Sequence, residues 1–197
     1  MTRRFKTTWI APAALFFIVS AVFLSPEAAK ADDPTLPVRQ VMVVAGLTDP
    51  KIEPPLEDGY FNDVYLQTVY SKSFANVYRM ARYGDELGDN QGYLLGFDAV
   101  IGGQDSCPLK DGRFEVLPQK GQVIPVAVYF DAVSCWGWTP DLKTPNTIFH
   151  VIREDDRFVI DDFWSDEYNG GDAATSIKRQ FADLAKGQID FFRTNEW

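Results

Sequence analysis

The sequence predicts an α+β fold: a curved antiparallel sheet with helices over one face. Three observations predict it. Segments with a helical period come first, alternating apolar–polar segments follow from residue 92, and one helical segment closes the chain. No strand–helix–strand alternation appears, which excludes a Rossmann or barrel arrangement. The acidic triplet Glu154-Asp155-Asp156 between two apolar runs is a hairpin signature. With 197 residues, 46% hydrophobic and 24% charged, the chain has an ordinary globular composition, not that of a disordered one.

Residues 1–31 read as a cleaved signal peptide. Arg3, Arg4 and Lys6 form a positive start, and Trp9 to Leu24 is an uncharged stretch of 16 residues. Ala29-Lys30-Ala31 then supplies a small-x-small site before Asp32. A membrane anchor is the alternative, but the stretch is short for a span of about 20 residues. Arg3-Arg4 hints at the twin-arginine route. No cysteine sits at the cleavage site, which argues against a lipoprotein. The expectation is a periplasmic or secreted protein whose residues 32–197 form one domain.

Asp32 to Pro37 is a polar start. Val38, Val41, Met42 and Ala45 then define one helical face, with Pro37 suited to the first turn and Gly46 to the stop. The run Val41 to Ala45 would also serve as a strand. Thr48 to Gly59, with Pro50, Pro54 and Pro55, is a loop. Tyr60 to Tyr83 lacks Gly and Pro. Its stripes Phe61, Tyr65, Val69 and Tyr70, Phe74, Val77, Tyr78, Ala81 predict two helices, or one kinked helix, breaking near Ser71. The Ser71 hydroxyl suits the cap of the second. The aromatic stripe is core or the lining of a pocket. Gly84 to Gly92 reads as a polar turn region.

Tyr93 to Ile101 reads as a strand ending at Gly102-Gly103, and Arg113 to Leu117 as a short strand. Val123 to Val133 alternates, with Ile124, Val126, Val128 and Phe130 on one face and Ala127, Tyr129 and Asp131 on the other. Pro125 lacks an N–H, so its end of that strand should be an edge or a bulge. Cys135 to Pro145 is a loop exposing Trp136 and Trp138. Thr147 to Arg153 and Phe158 to Phe163 are the hairpin strands. Gly170-Gly171 leads into a helix carrying Ile177, Phe181 and Leu184, with Gly187 as its stop. The aromatic tail Gln188 to Trp197 either packs back or frays.

The formal charge is −9; without residues 1–31 it is −12, from 15 basic and 27 acidic residues. Such a surface repels nucleic-acid phosphates and anionic lipid. A cationic partner, or simple solubility, accounts for it. Cys107 and Cys135, 28 residues apart, suggest one disulfide in an oxidising compartment, worth about 3–4 kcal/mol by loop closure. Two buried free thiols, or a cysteine nucleophile paired with His150, are the alternatives. His150 is the only histidine, and no CxxC or HxxxH spacing occurs, so no metal site is expected. No P-loop, dinucleotide fingerprint or Gly-x-Ser-x-Gly is present, so no cofactor is expected either.

Phe97-Asp98, the run Gln104-Asp105-Ser106-Cys107-Pro108 and the strand Phe158-Val159-Ile160-Asp161-Asp162-Phe163 carry a resemblance. Over roughly residues 35–187 the chain resembles the bacterial exported family known as domain of unknown function 3828. That family is similar to the nuclear-transport-factor-2-like superfamily, which includes the ketosteroid isomerases. The resemblance implies a cone-like sheet wrapping N-terminal helices, with a pocket between them. It implies no activity.

Three functional classes follow. The first is a non-catalytic binding module for a small apolar or amphipathic molecule, with Tyr65, Phe74 and Tyr78 as contacts and Gln104 and Asp105 as polar rim. For Asp105 the alternative is a cap on a turn pinned by Cys107. The second is a partner-binding module, of inhibitor or immunity type, acting through the acidic face and Trp136/Trp138. The third is an isomerase- or dehydratase-like enzyme pairing a carboxylate with a tyrosine in an apolar pocket. Its candidates are Asp98, Asp105, Asp131, Asp161, Asp162, Tyr65 and Tyr129. Of Asp161 and Asp162 one must point inward and find partners, for which the amides opening the last helix would serve. His150 is read as a sheet-face residue. The residues favour the first class.

Overall fold

A computed structural model of the chain describes residues 33–53, 59–87, 94–165 and 175–194. The expected signal peptide, Pro54-Pro55, Tyr93 and Gly170-Gly171 lie outside them.

Helix α1, Leu36–Val44, buries Pro37, Val38, Val41 and Met42, the face its period predicts. Gly46, at φ +103°, ends it: Leu47 N–H donates to Met42 O and Gly46 N–H to Val43 O, the paired bonds of a Schellman stop. Helix α2, Asp63–Thr68, starts on Asn62, whose side chain accepts from Tyr65 N–H. Helix α3, Lys72–Leu87, follows after the break at Ser71, whose hydroxyl accepts from Phe74 N–H at 2.9 Å. Gly84 does not end α3, contrary to expectation. A helical glycine costs about 1 kcal/mol, which packing of α3 on the last helix outweighs.

The strand expected over 93–101 is absent: residues 94–103 form bends and turns. Asp98 is the reason. Its Oδ1 accepts from Val100 N–H and Ile101 N–H, both at 2.9 Å, and its own N–H donates to Gly103 O. A side chain that satisfies its neighbours' amides locally removes the need for a ladder.

The sheet is a four-stranded antiparallel meander in the order β1-β2-β3-β4, and it is curved. Its strands are β1 Lys110–Val116, β2 Ile124–Asp131, β3 Thr147–Glu154 and β4 Arg157–Ser165. β2 runs between β1 and β3, and Pro125, its second residue, pairs with His150 but lies outside the β1 ladder, so its end of β2 is an edge on that side. The Pro125 carbonyl accepts from Leu117 N–H, so the side lacking a donor faces β1 just beyond the last ladder pair, Val116 with Val126. Asp155 and Asp156 turn the β3–β4 hairpin at φ 48° and 61°, as a two-residue type I′ turn requires. A bulge at Asp161 shifts the register between the His150–Asp162 and Val151–Ile160 pairs. Helix α4, Ile177–Thr194, passes through Gly187 instead of stopping there. The ion pair Lys186–Asp190 spans the glycine, and a side chain at 187 would meet open space.

Cys107 and Cys135 form a disulfide with Cα atoms 5.7 Å apart, tying the loop before β1 to the turn after β2. Among the described residues no helix is long and apolar enough to cross a membrane.

Helices α1, α3 and α4 pack on β4. The space between helices and sheet is filled by rings: Phe74 stacks on Tyr70 at 4.6 Å and on Phe163 at 5.9 Å, and Phe163 stacks on Phe149 at 5.0 Å. The free edge of β4 is closed where Ser71 N–H donates to Ile160 O and Ile160 N–H to Val69 O. The fully buried Ser71 hydroxyl also donates to Asp161 Oδ1 at 2.6 Å. Replacing Ser71 by Ala removes a helix cap and a partner of Asp161 together. The expected loss is about 2–3 kcal/mol, read as a lower urea midpoint at unchanged slope.

Candidate functional site

The apolar site on this scaffold opens at the helical end, not between helices and sheet. A cavity of about 130 Å³ is lined by Tyr60, Phe61, Tyr78, Leu94, Leu95, Phe97, Ala99 and Phe181. Three of its walls are fixed by capping. Asn62 sets the chain that carries Tyr60 and Phe61, Ser71 sets the helix that carries Tyr78, and Asp98 folds the 94–103 loop. Phe181 comes from α4 and stands edge-on to Phe61 at 5.5 Å and to Tyr78 at 5.2 Å. A wider groove of about 390 Å³ shares Tyr60, Phe61 and Tyr78 and adds Gly59, Asn62 and Arg82.

The Asp98 carboxylate lies near enough to the Tyr60 phenol to act on it electrostatically. Burial first, and that carboxylate second, hold the phenol far above its ordinary range, so it stays neutral at any physiological pH.

The expected ligand contacts separate in space. Tyr78 is in the cavity wall. Phe74 is fully buried beneath it in the ring stack. Tyr65 faces α1, where its hydroxyl donates to Gln40 O at 3.3 Å. Gln104 is exposed, and its amide donates to Gly96 O at 3.1 Å, pinning the loop that carries Leu95 and Phe97. Asp105 is exposed and is not among the cavity's lining residues. Sequence reasoning did not single out Tyr60, Leu94, Leu95, Ala99 or Phe181 as lining. Their only local signal was apolar character, which a strand or a core helix shares.

Four of the candidate carboxylates, Asp98, Asp131, Asp161 and Asp162, hold structure together. Asp98 takes two amides. Asp131 accepts from Val133 N–H and Ser134 N–H at 2.9 Å and faces Lys110 at 3.6 Å. Asp161 accepts from Ser71 and, at 2.8 Å, from Lys178 Nζ. Asp162 accepts from Phe163 N–H and from Lys178 N–H in the first turn of α4. Tyr129 donates to Glu115 at 3.1 Å under the Arg113 guanidinium. Among the described residues no three His, Cys, Asp or Glu side chains gather as a metal site.

Trp136 and Trp138 stand on the disulfide-tied turn after β2, 44% and 64% exposed, with rings 5.4 Å apart in a T. His150 lies on the sheet, edge-on to Trp164 at 4.4 Å and paired across β4 with Asp162.

Burial lowers the His150 pKa below its ordinary 6.5, against the opposing pull of Asp162 and Asp161. Burial raises Asp162 above its ordinary 3.8. A lowered folded pKa contributes stability above the unfolded pKa that is lost as pH falls. The raised Asp162 works in the opposite sense, at lower pH. The melting temperature should therefore drop as pH falls from 7.5 through about 6, and His150→Phe should flatten that slope; thermal melts at stepped pH check it. The chain matches no protein-family model, no curated protein and no solved structure.

Proposed function

We propose that this chain is an exported, non-catalytic binding protein with a cone-like fold of the nuclear-transport-factor-2-like kind. It takes a small apolar or amphipathic molecule into the ring-lined cavity at its helical end. The observation that carries the reading is that cavity: about 130 Å³, walled by Phe61, Phe97, Phe181, Tyr78 and two leucines. That volume is close to what a benzene-sized guest needs, and the pocket is open to solvent. The leader grammar of residues 1–31 and the Cys107–Cys135 disulfide support an oxidising, extracytoplasmic setting. The carboxylates' engagement in caps and ion pairs favours binding over acid–base catalysis.

Fluorobenzene is the direct probe. Saturable amide shifts should cluster at Leu94, Leu95, Ala99 and Phe181, and Ala99→Leu, which takes up space in the lining, should abolish them in a chain that still melts cooperatively. Absence of saturable shifts in the parent protein defeats the reading.

The exposed indole pair favours a second reading, a partner-binding face for a cationic envelope protein. Two clustered tryptophans on a braced turn are the kind of anchor that carries interface energy. Native mass spectrometry of protein taken from its own compartment should then show a protein partner that the double variant Trp136→Ala/Trp138→Ala loses, with fluorobenzene binding intact.

A further inference from the structure

The cavity and the groove share Tyr60, Phe61 and Tyr78 in their linings, which makes them neighbours on the same rings. Inward the lining is aliphatic and aromatic. Outward it becomes polar, and Arg82 is the one charged side chain among the described residues lining the groove. Arg82 lies one helical turn beyond Tyr78 on α3, the i, i+4 spacing that brings side-chain bases to about 5–6 Å on one face. Asn62, the other polar side chain of the rim, is occupied as a cap: it donates to Gly59 O and accepts from Tyr65 N–H. The inner lining holds no charged side chain among the described residues.

We infer that the ligand of this site is an amphipathic organic anion: a ring-sized apolar group joined through a short chain to a carboxylate, ring inward and carboxylate on Arg82. This rests on the cavity being a binding site, as proposed above. The arrangement fixes the direction of entry. A carboxylate driven inward would be desolvated against a lining with no cation, whereas outward it meets a guanidinium. Arg82 already has an interaction within the protein, and its five N–H donors leave room for a second acceptor. Because the chain as a whole is acidic, anion preference has to come from this local cation and not from the general field.

The test compares 3-phenylpropanoate with 3-phenylpropan-1-ol, which differ in the head group alone, by titration at low ionic strength. The anion should bind about fivefold more tightly, as suits an exposed charge pair, and the preference should shrink as salt is raised. Arg82→Gln should reduce the preference to below twofold while leaving the alcohol's affinity unchanged; Arg82→Lys should retain part of it. Equal binding of the two probes by the parent protein overturns the inference and leaves the apolar site standing. So does a preference that survives Arg82→Gln. Binding of neither probe removes the site itself, and both readings fall together.

Discussion

Ser71 is the point on which the assembly turns. Its backbone continues the edge of β4, its hydroxyl opens α3, and the same hydroxyl proton lands on Asp161, which also holds Lys178 of α4. One small side chain thus fixes where α3 leaves the sheet and where α4 returns to it. The bulge at Asp161 makes this possible, because it turns an extra carboxylate out of the ladder toward the helices. The positions of Tyr78 on α3 and Phe181 on α4 follow, and with them two walls of the cavity. The constraint is polar and buried, so it specifies one geometry more sharply than apolar packing would.

The ring stack beneath the site explains why the cavity is not where a cone would place it. Tyr70, Phe74, Phe149 and Phe163 occupy the space between helices and sheet at ring-to-ring distances of close packing. The ring-lined cavity forms against Phe61, where the 94–103 loop stands in place of a strand. A strand there would have sent alternate side chains to opposite faces. The loop instead lets Leu94, Leu95 and Phe97 all line the cavity that Tyr78 and Phe181 also wall, and the Asp98 turn is therefore part of the site's architecture.

The features legible in the sequence are those with a local cause. Gly46, the Ser71 break and the Asp155-Asp156 turn each follow from the conformational preference of one or two residues, and each is where the pattern puts it. The strand expected over 93–101 failed because Asp98 competes for amides, a contest that apolar alternation does not register. Gly84 and Gly187 stop no helix because the decision lies in packing between α3 and α4, many residues apart. The cavity was invisible for the same reason: Tyr60, Leu94 and Phe181 belong to three segments that only the tertiary fold brings together. Tyr78 was the one expected contact that the fold placed in its wall, since a helical stripe reports which face is covered, not what covers it.

The two borders of the sheet are treated differently. β4 is sealed by Val69–Ser71, while among the described residues β1 has no neighbour on its outer side. That border carries exposed Lys110, Asp111, Arg113 and Glu115, and its ladder is broken between Lys110 and Arg113, where Asp111 turns to φ 56°. Alternating charge and a kinked backbone deny a second molecule the straight, uncharged template that strand addition needs. Charge and kink thus work against crowded copies zipping border to border into fibrils, a safeguard written into the one strand that contributes least to the core.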